Sequence, residues 1–166
     1  MGFWEKVLPG YKGYKDRENS RNTDKLLREL LSNRLKESRS RYDDTKAEIA
    51  NRGNLGLLGP AEKVTQTLSR VIDRLRYANC GFSGKWFGKD KIDVERFDKV
   101  HAFDKQMAEA VDQLDKDIRA LELSSDDGQL ESMLKDLARK IRELDEAMNQ
   151  REEILRTVGG DGDEEK

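Results

Sequence analysis

Two stretches of this 166-residue chain repeat apolar residues at alternating spacings of four and three. This spacing places the apolar side chains in one seam along a side of an α-helix, and such a seam is stable only when another helix covers it. The polar link SSDDG at residues 124–128 separates the stretches and is typical of a tight turn. The pattern therefore predicts two long helices, at residues 92–123 and 129–158, that fold back on each other as an antiparallel hairpin. The first seam is Met107, Val111, Leu114, Ile118 and Leu121, and the second is Leu130, Leu134, Leu137, Ile141, Leu144, Met148, Arg151, Leu155 and Val158.

The first half of the chain predicts two further helices, at residues 16–51 and 61–79. The apolar stripe of the first of them weakens along its length, because Ser38 and Thr45 occupy seam positions. We therefore expect the second half of that helix to be exposed, curved or less stable. Between the two helices, RGNLGLLGP at residues 52–60 combines three glycines with a proline and predicts a break. We expect the leucines of this break to cover one end of the bundle.

The composition agrees with a helical protein. Ala, Glu, Lys, Leu and Arg supply 77 of the 166 residues, close to the half that is typical of long helices and coiled coils. The predicted fold class is therefore all-α, an elongated antiparallel bundle or set of coiled-coil hairpins with about four helices. We expect one helical unit at residues 16–158, an aromatic and basic arm at residues 1–15, and a disordered acidic tail at residues 159–166.

Histidine and cysteine are too scarce for most catalytic and metal sites. Cys80 is the only cysteine and His101 the only histidine. A structural zinc site needs four such ligands, a ferritin-type di-iron site needs two Glu-x-x-His pairs, and a catalytic triad would depend on His101 alone. The segment GFSGKWFGKD at residues 81–90 lacks the G-x-x-x-x-G-K-[ST] spacing of a phosphate-binding loop. We therefore expect no enzyme activity, catalytic residue, cofactor, metal or small-molecule substrate.

The sequence also lacks targeting patterns. No run of about 18 apolar residues is long enough to cross a membrane, and residues 1–15 lack the apolar region of a secretory signal. A single cysteine allows no internal disulfide, which fits a reducing compartment. We expect a cytoplasmic protein, with a peripheral position on a membrane as the alternative.

The near-neutral net charge of −2 conceals a strong asymmetry. Residues 1–91 carry 20 Lys and Arg against 12 Asp and Glu, whereas residues 92–166 carry 12 against 22. We favour the interpretation that the two halves face each other and neutralise internally. The alternative is that the basic half meets an anionic surface outside the protein.

Aromatic and basic residues alternate in two segments, the arm at residues 1–15 and the break at residues 80–91. Aromatic rings there either seal one end of the bundle or form a contact with a protein or an anionic membrane, where lysines meet the headgroups. We expect Trp86 to be exposed, and Phe82 and Trp4 to be at least half buried. The candidate interaction residues are Phe3, Trp4, Lys6, Tyr11, Tyr14, Phe82, Lys85, Trp86, Phe87 and Lys89.

The first eight residues, MGFWEKVL, form a short amphipathic start. They resemble the beginning of phage-shock-protein-A-like membrane-remodelling proteins, which start with Met-Gly followed by apolar residues and a basic one. The resemblance implies insertion of this segment into anionic membranes, followed by a long coiled-coil hairpin. It covers only these eight residues, and the break at residues 52–60 departs from the family, to which the chain is not assigned.

These patterns together predict a non-enzymatic interaction or scaffold protein that acts through helix–helix contacts. The expected partner is another protein or a second copy of the chain, with apolar seams buried between them. The first alternative is a peripheral membrane protein that uses residues 1–15 and 81–91. Nucleic-acid binding through the basic half is the weaker alternative, because the acidic half would repel phosphate.

Overall fold

Four α-helices contain most of the residues that the computed structural model describes, which are residues 17–77 and 94–157, with side chains at 22–77 and 98–155. The helices are α1 (Arg17–Asn51), α2 (Leu58–Tyr77), α3 (Val94–Leu123) and α4 (Asp127–Thr157), and a 3-10 turn at Leu55–Leu57 precedes α2. No β-strand occurs in these two ranges. The predicted all-α helical bundle is confirmed.

The helices run alternately up and down. Arg28, near the start of α1, reaches the carbonyl of Leu75 in the last turn of α2, whereas Arg52, just after α1, reaches the carbonyl of Ser124 between α3 and α4. Helix α1 packs against α2 and α3, and α4 packs against the same two helices. The order around the bundle is therefore α1, α2, α4, α3. The neighbours α1 and α3 run parallel, as do α2 and α4.

Helix α2 begins at Leu58, three residues before the predicted start. The break is shorter than expected because the side chain of Asn54 accepts a hydrogen bond from the Gly56 amide, and the 3-10 turn then leads directly into α2. Pro60 fits within the first helical turn, where its missing N–H has no acceptor to lose. Gly53 takes a φ of 77°, a conformation that favours glycine, and this allows the chain to leave α1.

Helix α4 begins at Asp127, two residues before the predicted start. The Oδ1 atom of Asp126 accepts a hydrogen bond from the Gln129 amide at 3.1 Å. A carboxylate in this position satisfies an amide that has no acceptor within the helix. The link between α3 and α4 is therefore shorter than predicted, because its last two residues, Asp127 and Gly128, belong to α4.

One core contains the predicted seams of all four helices. Within the described side chains, the α3 and α4 seam residues are all buried, including the charged Arg151. Ser38 and Thr45 are also buried, so the expectation of an exposed second half of α1 is wrong. Small hydroxyl side chains are accommodated there because each has an acceptor: the Thr45 hydroxyl donates to the Arg41 carbonyl, and the Ser38 hydroxyl donates to the carboxylate of Asp115 in α3.

The leucines of the 52–60 break divide between the core and the solvent. Leu57 is buried, and Leu58 is half-buried, whereas Leu55 is 78% exposed. Beneath this turn, the buried Tyr42 donates its hydroxyl to the Ala61 carbonyl at 2.7 Å. Leu57 therefore closes this end of the core, and Leu55 does not contribute to it.

We expect Leu137→Asp to unfold the bundle, because it would place an unpaired carboxylate at a position that is 2% exposed. The expected loss is at least about 4 kcal/mol of unfolding free energy, measured by urea denaturation. Leu123→Asp is the matched control, since Leu123 is 87% exposed at the end of α3. Equal stability of the two variants would contradict the packing of α4 described here.

Candidate interaction surface

The ten candidate interaction residues from the sequence lie outside the described residues. Five of them, including Trp4, belong to the segment before residue 17, and the other five, including Phe82 and Trp86, belong to residues 78–93. The expectations about them stay predictions. The described surface instead presents a groove and two clusters of charged side chains that the sequence analysis did not identify.

Ion pairs between the two hairpins, α1–α2 and α3–α4, follow the charge asymmetry of the sequence. Arg34 and Arg41 of α1 reach Asp115 of α3, and Arg74 of α2 reaches Asp145 of α4. The Arg41 and Arg74 contacts are both 2.7 Å long. Arginines of the basic half therefore face carboxylates of the acidic half, which supports the interpretation that the two halves neutralise each other.

A groove of about 710 Å³ lies between the parallel helices α1 and α3. Its lining combines one leucine with charged and amide side chains, namely Leu30, Asn33, Arg34 and Glu37 of α1 and Asp112, Asp115, Lys116 and Arg119 of α3. Leu30 is half-buried against the core. Leu26, one helical turn earlier on the same face of α1, is 54% exposed. The groove thus has an apolar strip between charged walls.

Asp115 lies at the centre of the α1–α3 contact and is almost completely buried. Its Oδ1 atom accepts hydrogen bonds from the Ser38 hydroxyl at 2.8 Å and from Arg41 at 2.7 Å. Its Oδ2 atom accepts from Arg119 Nε at 2.9 Å. Burial alone would raise the pKa of Asp115, but the hydrogen bonds from Arg119 and Ser38 and the charge of Arg34 outweigh it and lower the pKa. The carboxylate is therefore held ionised.

A second charged cluster closes the end of the core where α1 begins. Arg151 of α4 donates from Nε to Asp104 of α3 at 2.6 Å and from Nη1 to Asp24 of α1 at 2.7 Å. Arg28 donates to the other oxygen of Asp24 and to the carbonyl of Leu75 in α2. That carbonyl belongs to the last turn of α2, where the helix provides no donor. The cluster therefore joins all four helices.

Among the described side chains, this second cluster brings together two arginines and two aspartates. Burial alone would raise the pKa of Asp24, but the charges and hydrogen bonds of Arg151 and Arg28 outweigh it, so the pKa lies below its ordinary value. A buried charge is tolerated only when it is paired in this way. The cluster is best understood as part of the fold and not as a reactive site.

The sequence carried one signal for this cluster, the interruption of the α4 seam by Arg151. A charged residue at a seam position requires a buried partner of opposite sign. Nothing in the spacing of the chain distinguished Asp24 and Asp104 from the many surface carboxylates, because their pairing depends on how α1, α3 and α4 are placed around the core.

The described residues contain neither a membrane-spanning helix nor a cluster of metal ligands. None of their helices is long and apolar enough to cross a membrane. No group of three or more His, Cys, Asp or Glu side chains in this part of the chain is arranged to hold a metal ion. The chain matches no protein-family model, and no curated protein or solved structure is significantly similar to it. A function therefore has to be argued from the geometry of the residues themselves.

We expect Arg151→Leu to destabilise the bundle by about 3–5 kcal/mol, because it leaves Asp104 and Asp24 buried without this counter-charge. The quadruple variant Asp24→Leu, Arg28→Leu, Asp104→Leu, Arg151→Leu removes all four charges of the cluster and should recover much of that loss. Urea denaturation of both variants tests this. A quadruple variant less stable than Arg151→Leu would show that the four charged side chains stabilise the fold beyond neutralising one another.

The lowered pKa of Asp24 predicts acid sensitivity with a defined sign. Its carboxylate contributes stability above the ordinary unfolded value, about pH 3.9, and the contribution is lost as the pH falls through the lower folded value. The stability difference between the wild type and Asp24→Asn should therefore be largest near pH 7 and shrink below about pH 4. The exposed Asp44→Asn on the same helix is the control. A difference that grows on acidification would contradict this assignment.

Proposed function

We propose that this chain is a non-enzymatic helical interaction protein that receives an α-helix of a partner protein in the α1–α3 groove. The observation that carries the proposal is the combination of a filled core with an open groove. The apolar seams of the four helices are buried within one chain, so they are not available to a partner. The groove leaves apolar surface exposed at Leu26 and Leu30 beside a space of about 710 Å³.

The chemistry of the groove defines the partner. Leu26 and Leu30 are one turn apart, so a partner helix would present apolar side chains three or four residues apart to them. Charged residues of both signs border this strip, with Glu37 and Asp112 against Lys116 and Arg119. We therefore infer an amphipathic helix whose edges carry both acidic and basic side chains, which gives the contact its orientation.

The alternatives have less support among the described residues. The peripheral membrane function rests on residues 1–15 and 81–91, which lie outside them. Nucleic-acid binding through the basic half is disfavoured because arginines of that half, such as Arg34 and Arg74, are paired with carboxylates of the other half. Phosphate contacts would have to displace those pairs.

Site-specific photo-crosslinking in the native host tests the proposal. A photoreactive amino acid at Asn33, an exposed groove residue, should capture one discrete partner. The same amino acid at Glu131, exposed on α4, should not. Leu26→Asp should reduce the Asn33 crosslink at least about tenfold, since a charge on the apolar strip opposes burial. Leu55→Asp makes the same change at an exposed leucine beyond the other end of α1, and it should leave the Asn33 crosslink unchanged.

Two results would overturn the proposed function. One is the absence of a crosslink that depends on both Asn33 and Leu26. The other is flotation of the full chain with anionic but not neutral liposomes, unaffected by Leu26→Asp, which would favour the membrane alternative. Light scattering on the purified chain measures its oligomeric state alongside these two experiments. A stable oligomer that Leu26→Asp dissociates would identify the partner as a second copy of the chain.

A further inference from the structure

The contact between α1 and α3 gathers several cations around one buried carboxylate, Asp115. Four cationic side chains and four carboxylates lie in the groove or directly beside it. The cations are Arg34, Arg41, Lys116 and Arg119, and the carboxylates are Glu37, Asp112, Asp115 and Glu122, whose charge acts on Arg119. The buried carboxylate of Asp115 is shared among three of the arginines. Three guanidiniums have more N–H donors than one carboxylate can accept, so donors remain beside Asp115.

Asp115 fixes two of these arginines in place. It binds Arg41 through Nη1 at 2.7 Å and Arg119 through Nε at 2.9 Å. Charge-assisted hydrogen bonds to a buried carboxylate hold a guanidinium much more firmly than a solvated surface pair does. Arg41 and Arg119 are therefore preorganised, and less side-chain entropy is lost when they bind a ligand.

The register of the two helices brings these arginines side by side. Ser38 contacts Asp115, and α1 and α3 run parallel. Arg41 is three residues beyond Ser38, and Arg119 is four residues beyond Asp115. At about 1.5 Å of rise per residue, Arg41 lies about 4.5 Å and Arg119 about 6 Å further along in the same direction. The two arginines therefore approach the carboxylate of Asp115 from different helices, Arg41 from α1 and Arg119 from α3.

Both guanidiniums keep donors beyond the bond to Asp115. A guanidinium has five N–H donors, and each of these arginines has one hydrogen bond to a side chain of the described residues. The Arg41 side chain is 35% exposed and that of Arg119 is 51% exposed, so the remaining donors are accessible. Lys116 lines the same groove and adds a mobile ammonium group.

We propose that Arg41 and Arg119, anchored by Asp115, bind a compact oxyanion, a phosphate group presented either as inorganic phosphate or on a small phosphate monoester. Two guanidiniums fixed on opposite helices match the several oxygens of a phosphate group, which accept forked hydrogen bonds. Lys116 supplies additional charge. This site does not depend on a partner helix, and it gives the chain a ligand-binding capacity beyond protein–protein contact.

The test is binding to the full chain at constant ionic strength. Thermal unfolding and isothermal titration should show that inorganic phosphate raises the melting temperature and binds saturably, whereas chloride at the same ionic strength does neither. A phosphate monoester, O-phosphoserine, is the second arm. Binding of phosphate but not of the monoester identifies the free ion as the ligand, and tighter binding of the monoester identifies the esterified group.

Arg119→Gln and Arg41→Gln should each weaken phosphate binding about tenfold, equivalent to about 1.4 kcal/mol. The phosphate-induced shift is measured against the melting temperature of each variant in chloride, so any loss of stability is separated from loss of binding. The control is Arg139→Gln, since Arg139 is also 51% exposed but pairs with Asp136 and Glu143 within α4.

The proposal is overturned if phosphate and chloride give the same shift in the wild type. It is equally overturned if Arg119→Gln and Arg139→Gln change phosphate affinity by the same factor, because the effect would then reflect general surface charge. Crosslinking at Asn33 is a separate readout, so the proposed function and this inference can fail independently.

Discussion

The mutual burial of four apolar seams is the constraint on which the rest of the structure depends. Each seam is too apolar to remain in water, and each is covered by neighbouring helices of the same chain. This packing leaves the outer faces to charged residues, and contacts such as Arg41–Asp115 and Arg74–Asp145 join neighbouring helices there.

Two clusters of charged side chains are exceptions, because some of their members are buried at the core. Asp115 and the Arg151 cluster lie within or against the core and are tolerated because each buried charge has a partner. They differ in their relation to solvent. Arg151, Asp24 and Asp104 are buried, whereas Arg34 and Arg119, which both contact Asp115, line the α1–α3 groove. The first therefore fits a structural role, and the second fits recognition.

The groove has a physical origin in the order of the helices. Because the chain places α1 beside α3 in parallel, no short turn joins these two helices in the way that the SSDDG link joins α3 to α4. Their contact is made by polar side chains around Asp115 and Ser38 in place of a continuous apolar seam. A polar contact between helices leaves surface that a further helix or a charged ligand can use.

The sequence by itself determined the helices, the break between α1 and α2, and the α3–α4 hairpin, because heptad spacing and Gly-Pro punctuation are local properties of the chain. It also indicated that the basic and acidic halves face each other. It could not show that Ser38 and Thr45 are buried, that Arg151 has Asp24 and Asp104 as partners, or that Asp115 collects arginines from two helices. Those facts depend on the order of helices around the core, which brings together residues 47 to 127 positions apart, and only the tertiary structure decides that order.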